Sequence, residues 1–117
     1  MDYYSLSVYN TCRRLYRQIE MSTQKVAREV RIVSIAEAKR WVEQIMENIA
    51  FANDAFETKE RRIRFIRQAI AILQRLEIRV RIFFDLGFLR EKGFAAIMNL
   101  EGSVMRQLEG WEKSQVQ

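Results

Sequence analysis

The chain has no proline and no histidine, a single cysteine and only four glycines among its 117 residues. Without proline, no interior position loses its backbone donor or forces a helix to stop, and so few glycines cost long helices little in backbone freedom. The missing histidine removes Ser-His and Cys-His nucleophile pairs and the common zinc ligand sets, so hydrolase and metalloenzyme chemistry lose most of their usual residues. Cys12 has no disulfide partner and falls on an apolar repeat, where a thiol acts as a small hydrophobe. No apolar run approaches the roughly 20 residues that span a bilayer, and the segment after Met1 lacks the basic, apolar and small-residue order of a signal peptide. A cytoplasmic protein with no membrane partner is expected.

What remains is rich in Ala, Leu, Ile, Arg, Glu and Gln, an all-α composition. A chain of this length is one domain, residues 1–117, and is long enough to bury a core. Its 20 Lys and Arg against 15 Asp and Glu leave a formal charge of +5, which favours an acidic partner such as nucleic acid; a solvated basic surface without a ligand is the alternative.

The most informative segment is 57–86. At about 100° per residue, Ile66, Ala69, Ile70, Leu73, Leu76, Val80 and Phe83 share one face, the spacing of a core-facing helix. Arg61, Arg64, Gln68, Arg75 and Arg79 gather within about 60° on another, so their guanidinium groups line one strip of surface. Thr58 is placed to cap this helix and Gly87 to end it. Ile78, Ile82 and Leu86 form a second apolar stripe away from the core face, which predicts burial against another subunit unless a neighbouring helix or the C-terminal tail covers it.

Three further helices complete the pattern. The first covers about residues 4–21, with Val8, Cys12, Leu15 and Ile19 inward, Tyr9 and Tyr16 beside them, and Tyr3 and Tyr4 wedged against neighbours. Ser22 and Thr23 are placed to cap the second, about 24–53. Its apolar face shifts from Val26, Val30 and Val33 to Ile35, Val42, Ile45, Met46, Ile49 and Ala52, so either it bends near Ser34 or its first turns pack away from the core. The fourth uses Phe94, Ile97, Met98, Val104, Met105 and Leu108, with a polar tail from about 114. Four amphipathic helices on short links predict an antiparallel up-down four-helix bundle.

The carboxylates suggest no enzyme, metal or cofactor. Glu57 and Glu60 suit a first helical turn, Glu43 and Glu47 a solvated pair, and Glu77 at the core's edge an ion pair with an arginine. Trp111 is expected to pack at the bundle end, and Trp41 to stack on a base or bury at an interface.

Three local motifs stand out: Arg106, Gln107, Leu108, Glu109, Gly110, Trp111, then Lys113-Ser114 at the end of the chain; residues 48–53 before a basic segment; and Gln74, Arg75, Leu76, Glu77, Ile78, Arg79. Together with the four-helix pattern they resemble, over nearly the whole chain, the accessory variability determinant proteins of diversity-generating retroelements, and the first is similar to that family's closing pattern. The chain departs from the family in lacking a proline near Ser22 to Lys25, and in having Glu109 and Gly110 where paired glycines precede the tryptophan. A related family, four-helix proteins encoded in intervening sequences of bacterial large-subunit ribosomal RNA genes, shares Asn48-Ile49-Ala50 but more often continues Glu-Gly where this chain has Phe51-Ala52. The Gly110-Trp111 ending favours the retroelement family. That resemblance implies a non-catalytic, basic homopentamer that binds the element's reverse transcriptase and its template RNA, with DNA as a further polyanion, in support of mutagenic cDNA synthesis. It points to Arg75, Arg79 and Arg106 as partner contacts, and Arg61 and Arg64 of the same arginine strip join them as candidate nucleic-acid and reverse-transcriptase contacts. A helical scaffold that binds no nucleic acid is the remaining alternative.

Overall fold

Uninterrupted helix formers give four helices in the computed structural model, which describes residues 3–55 and 58–116. Helix α1 is Tyr3–Ser22; α2 is built from Arg28–Val30, a π-helical turn Arg31–Ile35 and Ala36–Asp54; α3 is Lys59–Asp85; α4 is Glu91–Val116. No strand occurs among the described residues. The expected roles of Phe56 and Glu57 in the link and first turn before α3, and of the Tyr3 side chain, lie outside what is described.

Helix α1 packs on α2 and α4, and α3 packs on the same two, so the four surround one continuous core in a body of 46 × 22 × 20 Å. Val8, Cys12, Leu15 and Ile19 of α1 meet Val42, Ile45 and Ile49 of α2, Ile66, Leu73, Leu76 and Val80 of α3, and Ile97, Val104, Leu108 and Trp111 of α4. Each fully buried large side chain contributes roughly 1.5–3 kcal/mol, so this seam of aliphatic residues is the principal source of cohesion. Tyr9 and Tyr16 pack partly against it, whereas Tyr4 is half exposed. Cys12 sits within it, and burial pushes its thiol up to about 12, which leaves it inert at neutral pH.

Two helix ends differ from expectation. Ser22 is the last residue of α1, its hydroxyl accepting from Gln18 Nε2 at 2.8 Å, and the Thr23 hydroxyl donates to the Ile19 carbonyl at 2.7 Å, so both are engaged with α1 and do not cap α2. Helix α2 begins after an extended Ala27, with no side-chain cap. Residues 114–116 continue α4, and the Ser114 hydroxyl donates to the Trp111 carbonyl at 2.6 Å.

The shift in the apolar face of α2 has a structural cause. A π-helical turn takes up extra residues per turn, so it rotates everything after it relative to everything before. It spans Arg31–Ile35, across Ser34, and marks where Ile32 and Val33, both more than half exposed, give way to the buried Ile35. The irregular turn lies where a bend was expected, and Ile32 and Val33 face away from the core while Val30 packs partly against it.

At the end of α3, Gly87 takes φ +82°, the Gly87 amide donates to Phe84 at 3.0 Å and the Phe88 amide to Phe83 at 2.8 Å. This is a Schellman closure, with the Phe83 and Phe88 rings 6.0 Å apart supplying its apolar contact. Thr58 occupies the N-cap position of α3 with extended backbone, but its hydroxyl makes no capping bond.

Candidate nucleic-acid interface

Five positions were expected to supply partner contacts, and the fold treats them differently. Arg61, Arg64 and Arg75 are exposed along one side of α3, with Gln68 between them. Arg79, on the same side, is half-buried, because α2 packs beside it. Its Nη1 lies 2.7 Å from Glu37 Oε1, and its guanidinium carbon is 4.5 Å from the centroid of the Trp41 ring. Arg75 approaches the same ring at 5.6 Å. Residues 37 and 41 on α2 and 75 and 79 on α3 are each four apart, so two helical turns present matched rungs at the α2–α3 seam. The indole holds two cations, but only Arg79 is neutralised by a carboxylate.

An ion pair this exposed contributes about 0.2–1 kcal/mol and the cation–π contact about 0.5–1 kcal/mol, so Arg79 is an anchor between helices as much as a surface charge. Arg75 is exposed, and no ion pair holds Arg61, Arg64 or Arg75 among the described residues. Arg61 lies 5.9 Å over the Phe65 ring, which itself meets the half-exposed Phe51 with centroids 5.5 Å apart.

Arg106 is not brought to this strip. It is exposed on α4 and shares an open groove with Arg67, Glu109 and Glu112, where Arg67 Nε pairs with Glu112 Oε2 at 2.5 Å. The remaining cation–carboxylate pair among the described residues, Lys39 with Glu20, ties α2 to α1.

Ile78, Ile82 and Leu86 are 63, 45 and 61% exposed, so neither an adjacent helix nor the end of α4 covers them. Ile82 follows Arg75 by seven residues, which places it only about 20° away around the helix. The apolar stripe and the arginine strip therefore share one face of α3.

Sequence reasoning missed Glu101. It follows the buried Ile97 by four residues and precedes the buried Val104 by three, so helical periodicity alone places it in the core; its charge hid it. It is 2% exposed and its Oε2 has no hydrogen-bond partner. Burial, with the facing Glu77 adding to it and Arg81 opposing, pushes its carboxyl up to about 8, so it holds a proton at neutral pH. Burial also raises Glu77, against the pull of Arg81 and with a push from Glu109. The expected ion pair of Glu77 is thus a longer-range attraction to Arg81 in a seam dominated by acids. Trp111 is fully buried at the end of the core as expected, with its indole Nε1 unpaired.

Among the described residues, no group of three or more His, Cys, Asp or Glu side chains is placed to hold a metal ion, and no helix is long and apolar enough to cross a membrane. In comparisons with known proteins, no family model and no curated protein matches the chain.

Proposed function

We propose that the protein is a non-catalytic accessory protein of a diversity-generating retroelement, a cytoplasmic homo-oligomer that binds the element's reverse transcriptase and template RNA during mutagenic cDNA synthesis. Each subunit is taken as an antiparallel up-down bundle, a topology favoured by the short links between its helices. The observation that carries the reading is the exposed face of α3, where Arg61, Arg64 and Arg75 stand without carboxylate partners beside the uncovered Ile78, Ile82 and Leu86. Arginine forks match phosphate oxygens and release counterions on binding, and an uncovered aliphatic stripe favours self-association. The pentameric state and the reverse transcriptase rest on the family resemblance alone. Assignment to the ribosomal intervening-sequence family remains the alternative on the same fold. A scaffold without nucleic-acid binding is favoured by one observation, the commitment of Arg79 to Glu37 and Trp41.

Titration of single-stranded template RNA across a salt series tests the reading. Arg64→Ala with Arg75→Ala removes two exposed, unpaired cations; it is expected to leave folding intact, weaken binding and reduce the salt slope by about 0.7 for each phosphate no longer neutralised. Equal binding by the double variant at every salt concentration would overturn the site. Ile82→Glu is expected to dissociate the oligomer in light scattering; a parent protein already monomeric at micromolar concentration would refute self-association.

A further inference from the structure

At one end of the molecule, the α1–α2 connection and the α3–α4 connection frame an open groove of about 900 Å³. Its two sides meet closely where α4 starts: a Cβ at Gly93 would lie 2.9 Å from Ser22 Oγ. Its apolar lining includes Met21 and Leu86, each more than 60% exposed, and the half-buried Val26 and Phe88. Lys25, Arg90 and Lys92, all exposed, also line it, and none of the lining residues is acidic. In a chain with 15 acidic residues against 20 basic ones, a lining with three cations and no carboxylate is locally one-signed.

We propose that this groove docks an acidic protein segment that inserts a large apolar side chain between carboxylates. The apolar side chains supply the buried contact, and the three cations select the charge around it and reject basic competitors. The size suits a short segment, being near the upper end of ordinary ligand clefts. Nucleic acid would engage the cations through its phosphates but leave the apolar side chains uncovered, because base stacking needs an open aromatic face. Met21 and Leu86 have none, and the one aromatic side chain, Phe88, is half-buried against Phe83. The inference does not depend on the retroelement reading. Leu86 also ends the stripe proposed for self-association, so the docking contact rests on Met21, Val26 and Phe88, and the test leaves Leu86 intact and uses the three cations.

The experiment is a selection of short random peptides displayed against the full chain, followed by amide chemical-shift mapping and affinity measurement on the enriched peptides. Enriched sequences are expected to carry Asp or Glu around Leu, Phe or Trp, with shifts concentrated in residues 18–27 and 86–96. Lys25→Ala, Arg90→Ala and Lys92→Ala combined are expected to weaken binding about ten-fold or more while circular dichroism shows unchanged helix content. Failure to enrich any peptide, enrichment of peptides without acidic residues, shifts mapping elsewhere, or unchanged affinity in a folded triple variant would each overturn the proposal. Displacement of the peptide by oligouridine at comparable concentration would also overturn it, assigning the groove to nucleic acid.

Discussion

Helix α3 carries charge into two seams that behave in opposite ways. Toward α2, Arg75 and Arg79 lie over one indole at the edge of the bundle, and Glu37 neutralises one of them. Toward α4, Glu77 lies across from a buried Glu101, with Arg81 as the opposing charge. These side chains alternate along a single turn and a half, because residues two apart on a helix point about 200° away from each other. A guanidinium accepts partial burial when an aromatic face and a carboxylate replace part of its water, and it keeps its charge. A carboxyl in the interior without a donor keeps its proton instead. The first seam therefore keeps its charge at the surface, whereas the second encloses Glu101 as a protonated acid at neutral pH and becomes costly when that group ionises.

The contrast is broken most severely at α4. Trp111→Ala, which empties a fully buried site, is expected to cost about 3–5 kcal/mol in urea unfolding. Trp111→Phe should cost much less than its lost volume implies, because it also removes the unpaired indole N–H. A Phe variant as unstable as the Ala variant would show that the N–H has a partner in solution.

Glu101→Gln sharpens the contrast through pH. In the folded protein the carboxyl is raised from 4.5 to about 8, so between these values the native state holds a proton that the unfolded chain has shed. Its contribution is fully present below about pH 4.5 and is lost as pH rises through about 8, a loss on the order of 5 kcal/mol. Glutamine imitates the protonated acid, so the variant should flatten this slope and gain most of that difference at pH 8. Unfolding midpoints from pH 5 to 9 with identical slopes in parent and variant would remove Glu101 as their cause.

The smallest effects separate the two arginines. Arg79→Ala is expected to lose about 1 kcal/mol by removing the Glu37 pair and the closer indole contact. Arg75→Ala should change stability by less than about 0.5 kcal/mol. RNA affinity should rank the other way, with Arg75→Ala the more damaging. A melt showing equal losses for both would place Arg75 in the seam as firmly as Arg79.

The core face of α3 was legible because burial repeats with helical period: six of its positions, Ile66, Ala69, Leu73, Leu76, Val80 and Phe83, are buried, with Ile70 only at the edge. The stop at Gly87 was legible for a local reason, the low cost of positive φ without a Cβ. The same periodicity over-reached on α4, where Met98 is 37% exposed and Glu101 takes the inward position. Hydroxyls at Ser22 and Thr23 misled because the motif that caps one helix also finishes the one before it. The arginine strip was visible as a pattern, but its division into anchored Arg79, open Arg75 and distant Arg106 was not.

The sequence by itself determined four amphipathic helices and which face of each turns inward, since both follow from propensity and from the hydrophobic effect acting at a fixed period. Only the tertiary structure decided which charges are neutralised. Pairing Arg79 with Glu37 and Trp41, leaving Arg61, Arg64 and Arg75 in solvent, and enclosing Glu101 Oε2 with no donor depend on neighbours brought from other helices. Electrostatic energies are set by those distances and by the water excluded between them, quantities that spacing along one helix does not contain.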